Sequence, residues 1–485
     1  MEKSIYNIVV ETGEGEHAIY NTLKRSFVLL NDDAFATYKD GTGQYADELA
    51  AAGVLVESAA YEQEVQEKTF DHDRLTNDWF AICICPTYEC NYQCPYCYEH
   101  GCNPSGIITP EVIEKTYQFF KAIYNRDHFK RFNLGWYGGE PTLCMDIIEE
   151  MTGWFKDFCD VNDIEMTVGI LSNCGVIDKD LAQRMADCGI EHLMPTIDGC
   201  EELHNKRRVN KSKCNSFEKT VEGLRNCKEC GIGVGANMNT DKINFQEFKE
   251  LRQKLHDEEG IDIYPSLLKD YRQDFDNNDT GFDSKHYDLY TREEYAWDIH
   301  KLFEETPYTK EVIQGMFGTV RNFCRGQLEN YYVIDPFGDV YKCEGWVGQR
   351  EHSVFNLDDI PQLEGLELTS YNPLRDPQCK DCEVLPLCKG QCAWDRALLE
   401  HACHIAKFTM PAYVKDYRSC YGEATSPVTI LEEPIDFEEE LSEPFICDGP
   451  NESLWAGIPW YDTDEEGNST YIKKHWREIA EEGIA

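Results

Sequence analysis

The sequence predicts an α/β fold: a partial, open barrel of six β/α units, with a small winged-helix-like module before it and a cysteine-rich region after it. Three observations carry this. Strand-like and helix-like segments alternate from Trp79 to Tyr264, as parallel strands joined by crossover helices do. Short polar motifs recur directly after the strand candidates, where parallel barrels keep their chemistry. Cysteines gather in fixed spacings near both ends of that alternation.

Residues 1–75 form the first module. Strands are expected over Ser4–Glu11, His17–Tyr20 and Ser26–Leu30, helices over Ala34–Lys39 and Tyr45–Ala52, and a short strand over Val54–Val56. Asn31-Asp32-Asp33 offers capping side chains to the first helix. The polar stretch Tyr61–Asp78 reads as a linker. The barrel spans 76–265. Its strand candidates are Phe80–Cys85, Phe132–Tyr137, Met166–Leu171, His192–Thr196, Gly233–Asn237 and Ile261–Tyr264. Helix candidates between them are Pro110–Tyr124, Cys144–Cys159, Lys179–Cys188, Ser216–Glu229 and Phe245–Asp257. Six such units give a TIM-like barrel that stays open. Residues 266–320 are a bridge with one helix, Glu293–Glu305, and cysteines resume across 321–420. An acidic extension, 421–485, has no function assigned to it.

Composition sets limits. A chain of 485 residues exceeds one ordinary core. A net charge of −44 repels phosphates, which argues against nucleic acid and anionic membranes as partners. No apolar run approaches the roughly 20 residues of a membrane span. The start, Met-Glu-Lys-Ser-Ile-Tyr, lacks a secretory pattern, so the expected location is cytoplasmic. In that compartment 23 cysteines point to metal or redox chemistry rather than disulfides. Thiolate clusters oxidise readily, which fits an anaerobic host.

The motifs come directly after the strands. Cys90-Asn-Tyr-Gln-Cys94-Pro-Tyr-Cys97 succeeds the first. Three thiolates can hold three irons of a [4Fe–4S] cluster and leave the fourth open to a ligand; S-adenosyl-L-methionine is the expected one. Structural zinc is the competing reading, but zinc prefers four closed ligands in paired units. Tyr96 either packs on an adenine or closes the loop. Gly138-Gly139-Glu140-Pro141 succeeds the second strand. Paired glycines admit a close ligand, and the Glu140 carboxylate suits an ammonium group; the competing reading is a strand-to-helix turn. Ser172 and Asn173 either bond ribose hydroxyls or cap a turn. Asp198, with His204, Arg207 and Arg208, either binds cofactor or substrate or forms a charged surface turn. In the second half Cys324 precedes Gly338 and Cys343, and Cys379, Cys382, Cys388, Cys392 and Cys403 come after them.

The triplet with Gly-Gly-Glu-Pro resembles the radical S-adenosylmethionine superfamily. The later cysteines resemble the seven-cysteine SPASM module, a C-terminal iron–sulfur domain. Residues 1–75 resemble the leader-peptide recognition modules of peptide-modifying enzymes, in which a sheet edge takes a peptide as an added strand; an inert cap is the competing reading. The resemblance implies three [4Fe–4S] clusters, one binding S-adenosyl-L-methionine and two auxiliary. Cys379, Cys382, Cys388 and Cys403 would hold the outer auxiliary cluster, and Cys324, Cys343 and Cys392 the inner. Sulfatase maturases carry a further inner-cluster cysteine soon after the first, yet Arg325–Tyr341 contains none. The inner cluster is then three-coordinate unless Cys420 or Cys447 reaches it. Glu344 matches an acidic residue proposed as a base in sulfatase maturases; a plain surface glutamate is the competing reading.

By the same resemblance, the chain is expected to be a radical maturase of a ribosomally made precursor peptide with a leader. The first cluster would reduce S-adenosyl-L-methionine, the resulting 5′-deoxyadenosyl radical would take a substrate hydrogen, and the carbon radical would couple to a cysteine sulfur on the inner cluster, as in sactipeptide and ranthipeptide maturases. Electrons would come from a donor such as flavodoxin or ferredoxin. The alternatives are carbon–carbon cross-linking, formylglycine formation as in sulfatase maturases, and a non-catalytic zinc-rich binding protein.

Overall fold

The structure, a computed structural model, describes residues 1–97, 99, 106–269, 287–304, 324–361, 372–392, 403–437, 461–463 and 469–471. The chain opens with β1 (Glu2–Lys3), β2 (Asn7–Gly13), β3 (Glu16–Asn21), β4 (Phe27–Asn31), α1 (Asp32–Asp40), α2 (Ala46–Ala51), β5 (Leu55–Val56) and α3 (Ala59–Arg74). The expected cap is present: the Asn31 side chain accepts from the Ala34 amide at 2.9 Å, and Gly41 closes α1 at φ 69°.

The polar stretch from Tyr61 is a helix, not a linker, as far as Arg74. Ser58 caps it, accepting from the Ala60 amide at 3.1 Å. Its buried face is partly polar, which hides the helical period. Glu62, Val65, Gln66 and Phe70 are buried, and they recur at the spacing of one helix face. The Glu62 carboxylate accepts from the Ser4 hydroxyl at 2.6 Å and the Ile5 amide at 3.3 Å.

The barrel strands are β6 (Trp79–Ile84), β7 (Arg131–Trp136), β8 (Glu165–Ile170), β9 (His192–Leu193), β10 (Gly233–Thr240) and β11 (Asp262–Leu267). Between them lie α4 (Pro110–Asp127), α5 (Met145–Asn162), α6 (Lys179–Asp187), α7 (Glu201–Arg207), α8 (Ser216–Glu229) and α9 (Phe248–Glu259). All six strands run parallel and adjacent in chain order. The fourth strand stops at Leu193, short of the expected Thr196. Pro195 has no amide for the ladder, and a single bridge joins Thr196 to Asn237. Helix α7 was not expected.

The sheet does not end at β6. After α10 (Arg292–Glu304) come β12 (Tyr331–Ile334), β13 (Asp339–Tyr341) and β14 (Phe355–Asn356). Strand β12 pairs parallel with β6, and β13 and β14 continue antiparallel, giving nine strands among the described residues in one mostly parallel sheet. Strand β6 is buried on both faces. Phe80, Ile82 and Ile84 pack into the large helix-facing core. Trp79, Ala81 and Cys83 face the other way, against Tyr331, Val333 and Tyr341.

Past α11 (Leu385–Cys388) and α12 (Ala406–Ser419) the acidic extension turns back. Its segment β15 (Val428–Glu432) pairs antiparallel with β4, so that among the described residues the N-terminal sheet has four strands in the order β15-β4-β3-β2. One face of this sheet packs on α1 and α2, and the other on α12.

Replacing Glu62→Ala strands the buried Ser4 hydroxyl and Ile5 amide. The expected loss is about 1–3 kcal/mol, read as a lower urea midpoint with an unchanged slope.

Candidate active site

The cysteine triplet lies in the loop that leaves β6. Its backbone is pressed onto the Gly-Gly-Glu-Pro turn leaving β7. The Gly139 amide donates to the Thr87 carbonyl at 3.0 Å, and the Glu140 amide to the Glu89 carbonyl at 2.8 Å. A Cβ on Gly139 would fall 2.4 Å from the Glu89 carbonyl oxygen, and one on Gly138, where φ is 140°, 2.6 Å from that of Thr87. The glycines therefore admit the cysteine loop itself.

Glu140 is fully buried. Its carboxylate accepts from the Thr142 hydroxyl at 2.5 Å, the Thr142 amide at 3.1 Å, the Ser172 hydroxyl at 2.7 Å and the Asn173 amide at 2.7 Å. Burial raises its pKa, opposed by these bonds. Pro141 starts the 3₁₀ turn Pro141–Cys144 just before α5. The Asn173 side-chain amide donates on to the side-chain oxygen Oδ1 of Asn91 at 2.7 Å and to Cys90 Sγ at 3.7 Å. The expected residues after β6, β7 and β8 are thus brought together, with Glu140 as a bracket between loops.

Asp198, after β9, is also buried, so the surface-turn reading is overturned. One oxygen accepts from the Tyr96 hydroxyl, and the other from the Asn239 amide at 3.1 Å. Arg208 donates to the Tyr96 oxygen at 2.7 Å. Tyr96 therefore closes the cysteine loop onto the far side of the barrel. Arg207 turns away into a buried pair with Asp241, at 2.8 and 2.9 Å. His204 is buried and accepts from the Asp198 amide at 3.3 Å; burial lowers its pKa, which keeps it neutral.

The second cysteine group sits on the extension of the same sheet. The thiols of Cys324 and Cys392 touch, with Cys343 beside them. Lys342, just before Cys343, donates to the carbonyls of Leu328 (2.6 Å), Tyr331 (2.6 Å) and Glu329 (3.1 Å), fixing that turn. Glu344 is half-buried and accepts from the Tyr331 hydroxyl. Cys83 of β6 is buried beside Tyr331 and Glu344, a neighbour that spacing alone did not reveal. Cys379, Cys382 and Cys388 form a third group packed on Tyr6 and Leu23 of the N-terminal module. Cys403 lies before α12, its carbonyl accepting from Arg292 at 3.3 Å. Cys420 packs at the other end of α12, against the N-terminal sheet. Cys102 and Cys447 lie outside the described residues.

These residues fit iron–sulfur clusters in one further respect. Sγ of Cys90, Cys343 and Cys388 each accepts a backbone amide from two residues on, at 3.4 Å from Tyr92, Gly345 and Gly390 respectively. Such bonds favour thiolate and tune a bound cluster. Burial pushes the Cys90 thiol up to about 12, so a bound cation is needed to hold it as thiolate at neutral pH. Among the described residues no three His, Cys, Asp or Glu side chains converge as ligands of one ion; the cysteines round a cubane each hold a separate iron.

Residues 84–255 match the Radical SAM superfamily. Over 430 residues the chain is 22% identical to the radical SAM cyclopropyl synthase TigE of Paramaledivibacter caminithermalis, covering 80% of this chain and 85% of that protein. It is 24% identical over 341 residues to a cysteine-type anaerobic sulfatase-maturating enzyme of Clostridium novyi, covering 63% and 85%. The fold is similar to the solved structure of native anSMEcpe with bound AdoMet and Cp18Cys peptide, with a TM-score of 0.55 at 16% identity over 70% of this chain and 99% of that one. Residues 84–255 therefore form a radical SAM domain, and the chain is an enzyme of the kind built on that domain, which uses S-adenosyl-L-methionine and a [4Fe–4S] cluster.

Gly139→Ala forces the cysteine loop off the turn. We expect total iron to fall by about four atoms per chain, one cubane's worth, with secondary structure retained by circular dichroism. A full iron complement in this variant would refute the steric account.

Proposed function

For a radical SAM enzyme of this architecture, we propose the maturation of a ribosomally made precursor peptide, most specifically the linking of a cysteine sulfur to a carbon. The observation that carries the reading is the group Cys324, Cys343 and Cys392, three thiols without a further cysteine in Arg325–Tyr341. They would hold an inner auxiliary cluster with one iron open to a substrate thiolate. Cys379, Cys382, Cys388 and Cys403 would hold an outer one.

When bound to the first cluster, S-adenosyl-L-methionine supplies a 5′-deoxyadenosyl radical. The chain's own residues do the rest. Cys90, Cys94 and Cys97 hold the cluster. Glu140 and Asn173 lock Cys90's loop to β7 and β8, and Asp198 and Arg208 lock Tyr96 across the barrel. Trp79, Ala81 and Cys83 of β6 and Tyr331, Val333 and Tyr341 beside them form a buried cluster on the strands that lead to both cysteine groups. Glu344, oriented by the Tyr331 hydroxyl, is placed to take a substrate proton beside Cys343. Residues 1–75 recognise the leader. Electrons come from a flavodoxin or ferredoxin in the cytoplasm. No helix among the described residues is long and apolar enough to cross a membrane.

Carbon–carbon coupling is the second reading, favoured by the similarity to a cyclopropyl synthase across 80% of this chain. Anaerobic turnover of a candidate precursor peptide, sought among short reading frames beside this gene, separates the two. Loss of a hydrogen pair with a blocked thiol is the expected result. The same loss with the thiol free selects carbon–carbon coupling. Conversion of a serine or cysteine to formylglycine would instead identify a sulfatase maturase. Iron analysis should return about twelve atoms per chain for three cubanes; zinc in their place would overturn the account. Glu344→Gln should slow peptide modification about 10²-fold or more while leaving iron content and peptide-independent 5′-deoxyadenosine release intact.

A further inference from the structure

The N-terminal sheet is completed by a strand from the other end of the chain. Strand β15 lies along the outer edge of β4, pairing Val428 with Leu30, Thr429 with Leu29 and Ile430 with Val28. The Asn31 amide donates to the Pro427 carbonyl at 3.0 Å. Val428 and Ile430 face the core between the sheet and its helices, beside Ile19, Ala34 and Tyr38. Leu431 faces the opposite side, toward α12. Further on, the Ile435 amide donates to the Lys24 carbonyl at 2.9 Å, and the Lys24 ammonium sits 4.4 Å from the centre of the Phe437 ring.

This strand has the character of a bound peptide. It is five residues long and bracketed by Pro427 and Pro434. Of its residues only Val428 is fully buried, whereas four of the five residues of β4 are. Its register shifts between Ile430 and Glu432, so the ladder is short. It binds through main-chain bonds and alternate apolar side chains, and any extended peptide of similar alternation can make both. Its tether gives it an effective concentration of about a millimolar, which a competing peptide must exceed.

We propose that residues 427–432 occupy, in cis, the edge of β4 that a precursor's leader peptide takes, so that leader binding proceeds by exchange of one strand for another. This rests on the reading of residues 1–75 as the recognition module. The exchange makes β4 the docking edge, and the partner an extended peptide with apolar residues at alternate positions. It also makes the tail a selectivity filter, because weakly pairing peptides cannot displace it.

The test uses the full-length chain. The probe is a fluorescein-labelled synthetic peptide with the sequence of residues 424–436, monitored by fluorescence anisotropy. The double variant Val428→Pro/Ile430→Pro should bind it about tenfold tighter or more than the unaltered chain does, because the tether no longer competes. Equal affinity in the two chains overturns the proposal. Hydrogen exchange on the unaltered chain provides the second measurement and does not depend on how the variant folds. Adding the precursor's leader should raise exchange across 427–432 while amides of 28–31 stay protected. Leader binding with 427–432 still protected overturns it. Both readouts are independent of turnover: a modified precursor with an unmoved tail sinks only this proposal, whereas a leader that binds neither chain removes the recognition reading as well.

Discussion

The parallel ladder between β6 and β12 holds the two halves of this protein in one frame. Tyr331 to Ile334 lie in register with Ala81 to Ile84. Strand β6 leads into the Cys90–Cys97 loop, and β12 leads through a tight hairpin to Cys343 and Glu344. The two cysteine groups therefore hang from neighbouring strands of one sheet rather than from separately mobile domains. A side-chain bond reinforces the ladder. Tyr88, at the start of the cysteine loop, donates to Asp335 at 2.7 Å, and Asp335 also caps the hairpin by accepting from the Phe337 and Asp339 amides at 2.8 and 2.9 Å. The proposed chemistry, begun at one cysteine group and finished at another, needs a fixed separation between them, and a shared sheet meets that need.

Around the triplet the fold uses buried charge as a fastener. Glu140 and Asp198 are both buried, and burial raises the pKa of each. Each is satisfied by donors from more than one segment: Thr142 together with Ser172 and Asn173 for Glu140, Tyr96 and Asn239 for Asp198. A buried acceptor that loses its donors is expensive, so these loops hold their positions together or not at all. Arg207 and Asp241 extend the same strategy one layer outward.

Much of this was legible in the sequence because it is local. The alternation of strands and helices reflects hydrophobic period and caps, and Asn31 and the Pro110 helix start lie where those rules put them. The cysteine spacings are local too. What escaped depends on contacts between distant segments. Tyr96 meets Asp198 and Arg208 only once the barrel brings β9 round to β6. The glycines of the Gly138-Gly139 turn looked like room for a ligand, and the neighbour they admit is the cysteine loop. Helix α3 was missed because Glu62 and Gln66 sit on its buried face, where a period count expects apolar residues. Strand β15 was missed because an edge pairing with β4 leaves no mark in either segment alone.

The third cysteine group has a consequence of a different kind. Cys379, Cys382 and Cys388 pack directly beneath Tyr6 and Leu23, and Thr22 donates its hydroxyl to the Glu383 carbonyl within the same cysteine run. The floor of the N-terminal sheet is therefore built partly from this cysteine run. On the proposed reading, in which these thiols hold the outer cluster and the sheet takes the leader, a chain not yet loaded with that cluster would present a poorly supported sheet and be slow to engage a peptide it could not process.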